Sequence, residues 1–131
     1  MGPLNFMVPN EKRSMASIES INFEDDSIEQ FGAGQLQHLP QSQLLDAYAC
    51  IQCSRCQDAC PAYETGKELS PSALEINKRY FLNTHLDEFI DGSIPDASIT
   101  DILLTDEAAW SCTTCGFCVE VCPVGNEPMV D

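Results

Sequence analysis

The sequence contains few basic residues and no long hydrophobic segment. Six Lys and Arg stand against 21 Asp and Glu, which gives a formal net charge of −15. This acidity disfavours nucleic acid as a partner and favours docking onto basic protein surfaces. No apolar run approaches the roughly 18 residues that a membrane span needs, and no signal peptide is recognised. We therefore expect a cytoplasmic location, with any membrane association supplied by a partner or by a region outside this sequence.

No cysteine lies outside two copies of one pattern, Cys-x2-Cys-x2-Cys-x3-Cys-Pro, which we call the cysteine phrases. The first phrase consists of Cys50, Cys53, Cys56, Cys60 and Pro61, and the second of Cys112, Cys115, Cys118, Cys122 and Pro123. The two phrases account for all eight cysteines of the chain. None is left over to act as a nucleophile or as a simple packing residue, and this use of every cysteine in one repeated pattern indicates a metal centre.

Three alternatives can be compared for the phrases. A disulfide framework is disfavoured, because such frameworks belong to secreted chains and seldom repeat one tight spacing twice. Zinc sites prefer two separate Cys-x2-Cys pairs around one tetrahedral ion. The spacing with its trailing proline is instead the ligand run of bacterial-type 4Fe-4S clusters. A variant with one 3Fe-4S cluster is disfavoured because all eight cysteines are present.

The fourth cysteine of each run ligates the other cluster in two-cluster ferredoxins. We therefore predict two 4Fe-4S clusters with crossed ligands. The predicted ligands of the first cluster are Cys50, Cys53, Cys56 and Cys122, and those of the second are Cys112, Cys115, Cys118 and Cys60. Cluster binding should supply folding free energy that so small a core lacks, so the metal-free chain should be largely unfolded.

The chain between and before the phrases is predicted to be helical or irregular. Residues 1–40 show no sustained periodicity and are expected to form an acidic, mostly irregular extension draped over a domain spanning residues 41–131. Helix start signals occur at Ser42, at Ser70 followed by Pro71, and at Thr105. No segment alternates like a strand. We predict an all-α fold, unlike the repeat-built βαββαβ ferredoxins, in which a shorter, strand-rich stretch joins the phrases.

The sequence segments around the cysteines resemble those of one branch of the α-helical ferredoxins. They are Cys50-Ile-Gln-Cys-Ser-Arg-Cys-Gln-Asp-Ala-Cys-Pro, then Thr65-Gly-Lys and Leu69-Ser-Pro, and finally Trp110-Ser-Cys-Thr-Thr-Cys-Gly-Phe-Cys-Val-Glu-Val-Cys-Pro. That branch includes the heterodisulfide reductase electron-transfer subunit, and the closest likeness is to the iron-sulfur domain of membrane-bound electron-transfer-flavoprotein:menaquinone oxidoreductases. The likeness runs from about Phe31 to Asp131. Larger members of the family carry a membrane region and cysteine-rich CCG modules that this sequence does not contain.

The resemblance implies a relay that passes single electrons between a flavoprotein donor and a quinone- or disulfide-reducing partner. The alternative it leaves open is an electron-transfer subunit of a heterodisulfide-reductase-like catalytic complex. In either case the chain would be the electron-transfer part of an oxidoreductase, and we expect no catalytic residue of its own.

Three residues beside the ligands have competing interpretations. Arg55 could raise a cluster potential by its charge, although an exposed ion pair with Asp58 is favoured. Gly116, next to Cys115, could let backbone N–H groups approach sulfur. Trp110 is expected to pack over a cluster, with a place on an electron path as the alternative.

Overall fold

The computed structural model describes residues 2–5, 7, 22–25 and 32–129, and these residues form helices joined by turns. The elements are α1 (Gly2–Asn5), a 3₁₀ turn (Leu36–His38), α2 (Gln41–Ala49), α3 (Arg55–Asp58), α4 (Pro61–Glu64), α5 (Pro71–Thr84), α6 (Leu86–Asp91), α7 (Ile99–Ile102), α8 (Asp106–Trp110) and α9 (Phe117–Glu120). Within the described ranges there is no strand. The all-α prediction is confirmed.

Helix α5, the longest described helix, begins where the sequence predicts. The Ser70 hydroxyl accepts a hydrogen bond from the Ala73 N–H at 3.1 Å, and Pro71 occupies the first helical position. Proline suits that position because its missing N–H would have no partner in the helix. Thr105 caps α8 in the same way, through the Ala108 N–H at 3.1 Å. Helix α2 differs from the prediction: it begins at Gln41 after Pro40 rather than behind a capping Ser42.

The hydrophobic core lies between α5 and its neighbours α2 and α7. Its buried members are Leu36, Leu39, Ala47, Leu74, Leu82, Ile99 and Leu103. A smaller cluster formed by Cys60, Ala62, Leu69 and Ala108 fixes the end of the first phrase against α8. The core therefore holds both phrases on one scaffold, with α5 in the middle.

Helix α5 also contributes a buried ion pair. Lys78 Nζ lies 3.2 Å from Glu75 Oε2, and the two side chains are 0% and 2% exposed. One turn onward, Arg79 Nη1 donates to the Cys50 carbonyl at 3.2 Å. The polar side of α5 is thus turned toward the first phrase.

No helix of the described residues is long and apolar enough to cross a membrane.

Candidate iron-sulfur site

The two cysteine phrases adopt the same backbone conformation at matching positions. Gln52 and Thr114 occupy the third place of their phrases, with φ values of 57° and 50°. Ser54 and Gly116 occupy the fifth place, with φ values of 61° and 75°. A left-handed conformation at both places curls the chain tightly between successive cysteines. Each fifth-place residue then starts a one-turn helix, α3 in the first phrase and α9 in the second.

Gly116 meets the left-handed conformation without strain, because glycine lacks the Cβ that penalises positive φ. Ser54 has to adopt it with a side chain, which costs roughly 1–2 kcal/mol per residue. Gly116 is also buried. The role of Gly116 was predicted from the sequence, whereas that of Ser54, its structural equivalent in the first phrase, was not.

One cavity brings together three cysteines of the first phrase and the last cysteine of the second. Its lining includes Cys50, Cys53, Cys56 and Cys122, and it is narrow, about 20 Å³. The other polar side chains of the lining are those of Ser54, Ser72, Glu75 and Asn126.

A second cavity brings together the complementary set of cysteines. Cys112, Cys115, Cys118 and Cys60 all line a space of about 320 Å³. The remaining lining is largely aliphatic and includes Leu69, Leu74, Ile99 and Leu104, with no charged side chain. The two cavities group the cysteines as the crossed-ligand prediction does, and the ligation itself stays a prediction.

The two cavities are neighbours, because Pro128 lines both of them. The charge of Cys56 also acts on Cys118, although these two cysteines line different cavities. Two redox centres placed here would lie close together.

Burial makes the inner thiols weak acids in the cluster-free chain. It raises the pKa of Cys56 to about 11 and that of Cys118 to about 12, and it also raises the pKa of Cys50. For Cys56 the next causes that raise the pKa are the charges of Cys50 and Cys122, and both of these cysteines line the same cavity as Cys56. These thiols would have to lose their protons to ligate iron, whose positive charge would compensate the buried thiolates.

Backbone N–H groups point at two of the sulfurs. The Thr114 N–H donates to Cys112 Sγ at 3.4 Å, and the Asn126 N–H donates to Cys122 Sγ at 3.3 Å. Such hydrogen bonds stabilise negative charge on a thiolate and are one of the factors that set a cluster's potential. They therefore fit four-thiolate ligation at each site.

A buried polar network holds the segment after Cys122 in place. Asn126 Nδ2 donates to the Asp46 carbonyl at 2.6 Å, and the Glu127 N–H donates to Asp46 Oδ2 at 3.0 Å. From helix α1, Asn5 Nδ2 contacts Asp46 Oδ1 at 2.7 Å, Val124 O at 3.1 Å and Asn126 Oδ1 at 3.2 Å. Sequence reasoning missed this network, because nothing in the local sequence connects residues so far apart along the chain.

Trp110 and Arg55, which neighbour the predicted ligands in the sequence, are both exposed. The expectation that Trp110 packs over a cluster is wrong, because its side chain is 90% exposed. Arg55 is exposed beside its phrase. His85 contacts Glu88 Oε1 at 2.9 Å through Nδ1, and its ring lies 4.4 Å from that of Phe81 between centroids.

The donor set suits a cluster better than a single ion. Within the described part of the chain, no group of three or more His, Cys, Asp or Glu is placed to hold one metal ion. Ligands of one zinc ion must converge to about 2.3 Å from it, whereas thiolates on a cubane attach to four separate iron corners. Four cysteines around a mostly apolar cavity satisfy the second requirement.

Comparison with known proteins agrees with this geometry. Residues 46–126 match the family model of the 4Fe-4S dicluster domain. The chain is 35% identical to the probable iron-sulfur-binding oxidoreductase FadF of Bacillus subtilis, over 96% of this chain and 22% of that protein. It is 30% identical to the EtfAB:quinone oxidoreductase of Syntrophomonas wolfei, over 88% of this chain and 18% of that protein.

A third relative is named a probable membrane-anchored ferredoxin, from Chromohalobacter salexigens. It is 31% identical over 76% of this chain and 17% of its own length. The chain thus spans about a fifth of the length of these relatives. No solved structure matches the chain.

Proposed function

Since the chain belongs to the 4Fe-4S dicluster domain family, and is an iron-sulfur electron-transfer module with two 4Fe-4S clusters, we propose that it relays single electrons from a flavoprotein donor to a quinone- or disulfide-reducing partner. The observation that carries this proposal is the pair of adjacent cavities, each lined by three cysteines of one phrase and one of the other. Two one-electron centres side by side suit passage of electrons better than storage at a single site.

The residues proposed to hold the clusters follow the two cavities. Cys50, Cys53, Cys56 and Cys122 hold the first cluster, and Cys112, Cys115, Cys118 and Cys60 hold the second. Each bound cluster supplies reversible one-electron chemistry. The chain itself contributes thiolate ligands, hydrogen bonds to sulfur, and a shell that limits water.

The two sites offer different surroundings to their clusters. The first is lined by the buried Glu75 carboxylate and by Asn126, whereas the second has a largely aliphatic lining with no charged side chain. Because local charge, hydrogen bonding and exposure set cluster potentials, the two centres should differ in potential. A difference of this kind gives a relay its direction.

The identity of the partners is proposed from the relatives. The name EtfAB:quinone oxidoreductase joins a flavoprotein to a quinone, and the name membrane-anchored ferredoxin places one relative at a membrane. The strong negative charge of this chain favours basic docking surfaces on a partner. We accordingly place the chain on the cytoplasmic side of a membrane-associated redox system.

The test is anaerobic reconstitution followed by analysis of metal and redox state. Iron and sulfide should each approach about eight per chain on the stoichiometry of two cubanes. An EPR-monitored titration should resolve two one-electron transitions, and reduced electron-transfer flavoprotein should reduce the chain. A chain that binds zinc or one cluster contradicts the proposal.

A further inference from the structure

Three exposed apolar side chains lie in the segment that carries the second cysteine phrase. Trp110 is 90% exposed, Phe117 55% and Val121 36%. Trp110 ends α8 shortly before Cys112, while Phe117 begins α9 and Val121 follows it. Tryptophan is on average a highly buried residue. The exposed Trp110 indole beside a cofactor site therefore indicates contact with a partner.

The apolar character of this segment is not required by the loop geometry. In the first phrase the positions equivalent to Phe117 and Val121 are occupied by Arg55 and Ala59, although the backbone conformation is the same. The two phrases therefore present different chemistry to solvent around similar ligand loops.

The basic residues are also unevenly distributed along the sequence. No Lys or Arg follows Arg79 in the sequence. Exposed acids accompany the apolar residues on the same helices, with Asp106 and Glu107 on α8 and Glu120 on α9. Exposed apolar and acidic side chains in one segment complement a partner surface that carries apolar and basic residues.

The second ligand set reaches the surface in this same segment. Cys112 is exposed, and it also lines the larger cavity. A partner that covers Trp110 therefore comes close to the proposed second cluster, and no buried residue has to move.

We propose that the surface carrying Trp110, Phe117 and Val121, here the Trp110 surface, docks a redox protein whose contact face has an apolar centre ringed by Lys and Arg. One electron passes between that partner and the cluster beside Cys112: one side loses it, the other gains it, and no bond forms or breaks. The inference rests on the proposed function and adds where the exchange takes place. Aromatic residues are enriched at the energetic centres of interfaces, and Trp110 has that role here.

Mitochondrial cytochrome c is a suitable probe, because it is a basic redox protein with lysines around its haem edge. Calorimetric titration of ferric cytochrome c with the oxidised, cluster-loaded chain measures binding with no electron transfer. We expect Trp110→Ala and Phe117→Ala each to weaken binding by about tenfold or more, as for central interface residues. Added salt should weaken binding of the wild-type chain, since opposite charges are screened.

Two exposed isoleucines provide matched controls. Ile90, 73% exposed, lies on α6, and Ile94, 42% exposed, lies between α6 and α7. Ile90→Ala and Ile94→Ala should leave the affinity unchanged. Equal losses in Ile90→Ala, unchanged binding in Trp110→Ala, or a wild-type chain that shows no salt-sensitive binding would overturn the proposal. A sedimentation experiment that finds a dimer dissolved by Trp110→Ala would overturn it too, because a second copy would then occupy the surface.

Failure of this inference is separable from failure of the proposed function. Iron and sulfide content and reduction by dithionite are measured on every variant before titration. Loss of clusters in the wild-type chain contradicts the function. Full, reducible clusters combined with unaltered binding by Trp110→Ala contradict only the docking surface.

Discussion

The side-chain amide of Asn5 donates a hydrogen bond to Asp46 Oδ1 at 2.7 Å, and both residues are buried. Asp46 belongs to α2, the helix that leads into Cys50. The side-chain amide of Asn126 donates to the Asp46 carbonyl, and the backbone N–H of Asn126 donates to Cys122 Sγ. Helix α1, helix α2 and the chain after Cys122 are thus joined at Asp46, and Asn126 of this junction lines the first cavity.

Replacement of Asn5 by Ala should loosen this junction. The change removes a buried donor from Asp46, and a buried carboxylate that loses a hydrogen bond destabilises a fold by about 1–3 kcal/mol. The cluster ligated by Cys122 should also shift to a more negative potential, because the Asn126 N–H would no longer be held against sulfur. Urea denaturation followed by visible absorbance measures the first effect, and an EPR-monitored titration the second.

Asn77 offers a matched control for Asn5. Its amide donates to the Leu103 carbonyl at 2.9 Å within the core, and it lines neither cysteine cavity. Asn77→Ala should lower stability and leave both potentials unchanged. Equal shifts of potential in the two variants would show that Asn5 has no specific effect on the cluster.

Ser54→Gly should stabilise the first phrase. Ser54 adopts a φ of 61°, so removal of its Cβ relieves up to about 1 kcal/mol once the greater freedom of glycine in the unfolded chain is counted. Gly116→Ala, at the equivalent place in the second phrase, should destabilise by a similar or larger amount. The rate of cluster bleaching on warming measures both. A Ser54→Gly chain that bleaches faster than the wild type would contradict the conformational argument.

Lys78→Met should be among the most damaging substitutions outside the phrases. It removes the cation 3.2 Å from the buried Glu75 carboxylate, and such a loss costs about 3–5 kcal/mol. The double variant Glu75→Gln with Lys78→Met should recover much of that loss, because no uncompensated charge remains. Thermal unfolding of the loaded proteins compares them. A double variant no more stable than Lys78→Met would show that the ion pair is not the cause.

The sequence predicted those features that depend on local chemistry. Ser70 and Thr105 cap helices because hydroxyl oxygens satisfy free N–H groups at helix starts, and this pattern is readable from neighbouring residues. The same holds for the cysteine spacing. The helical content and the dicluster family followed from these signals.

The features that the sequence did not predict arise from long-range packing. No local pattern marked Lys78 and Glu75 for burial, yet the fold buries both side chains almost completely. Trp110 was expected to pack over a cluster, yet it is exposed. Burial of a given side chain depends on which distant segment covers it, and one sequence carries no local signal for that. The proposed division into residues 1–40 and 41–131 stays a prediction, since most of residues 6–31 lie outside the described part of the chain.

The measurement that tests the crossed-ligand account most directly is a set of four alanine variants compared by EPR. Cys53→Ala and Cys115→Ala serve as references, since each removes a central ligand from a different phrase, and alanine cannot ligate iron. The account predicts that Cys60→Ala loses the same signal as Cys115→Ala and that Cys122→Ala loses the same signal as Cys53→Ala. If Cys60→Ala instead loses the signal missing in Cys53→Ala, each phrase holds its own cluster and the account is wrong.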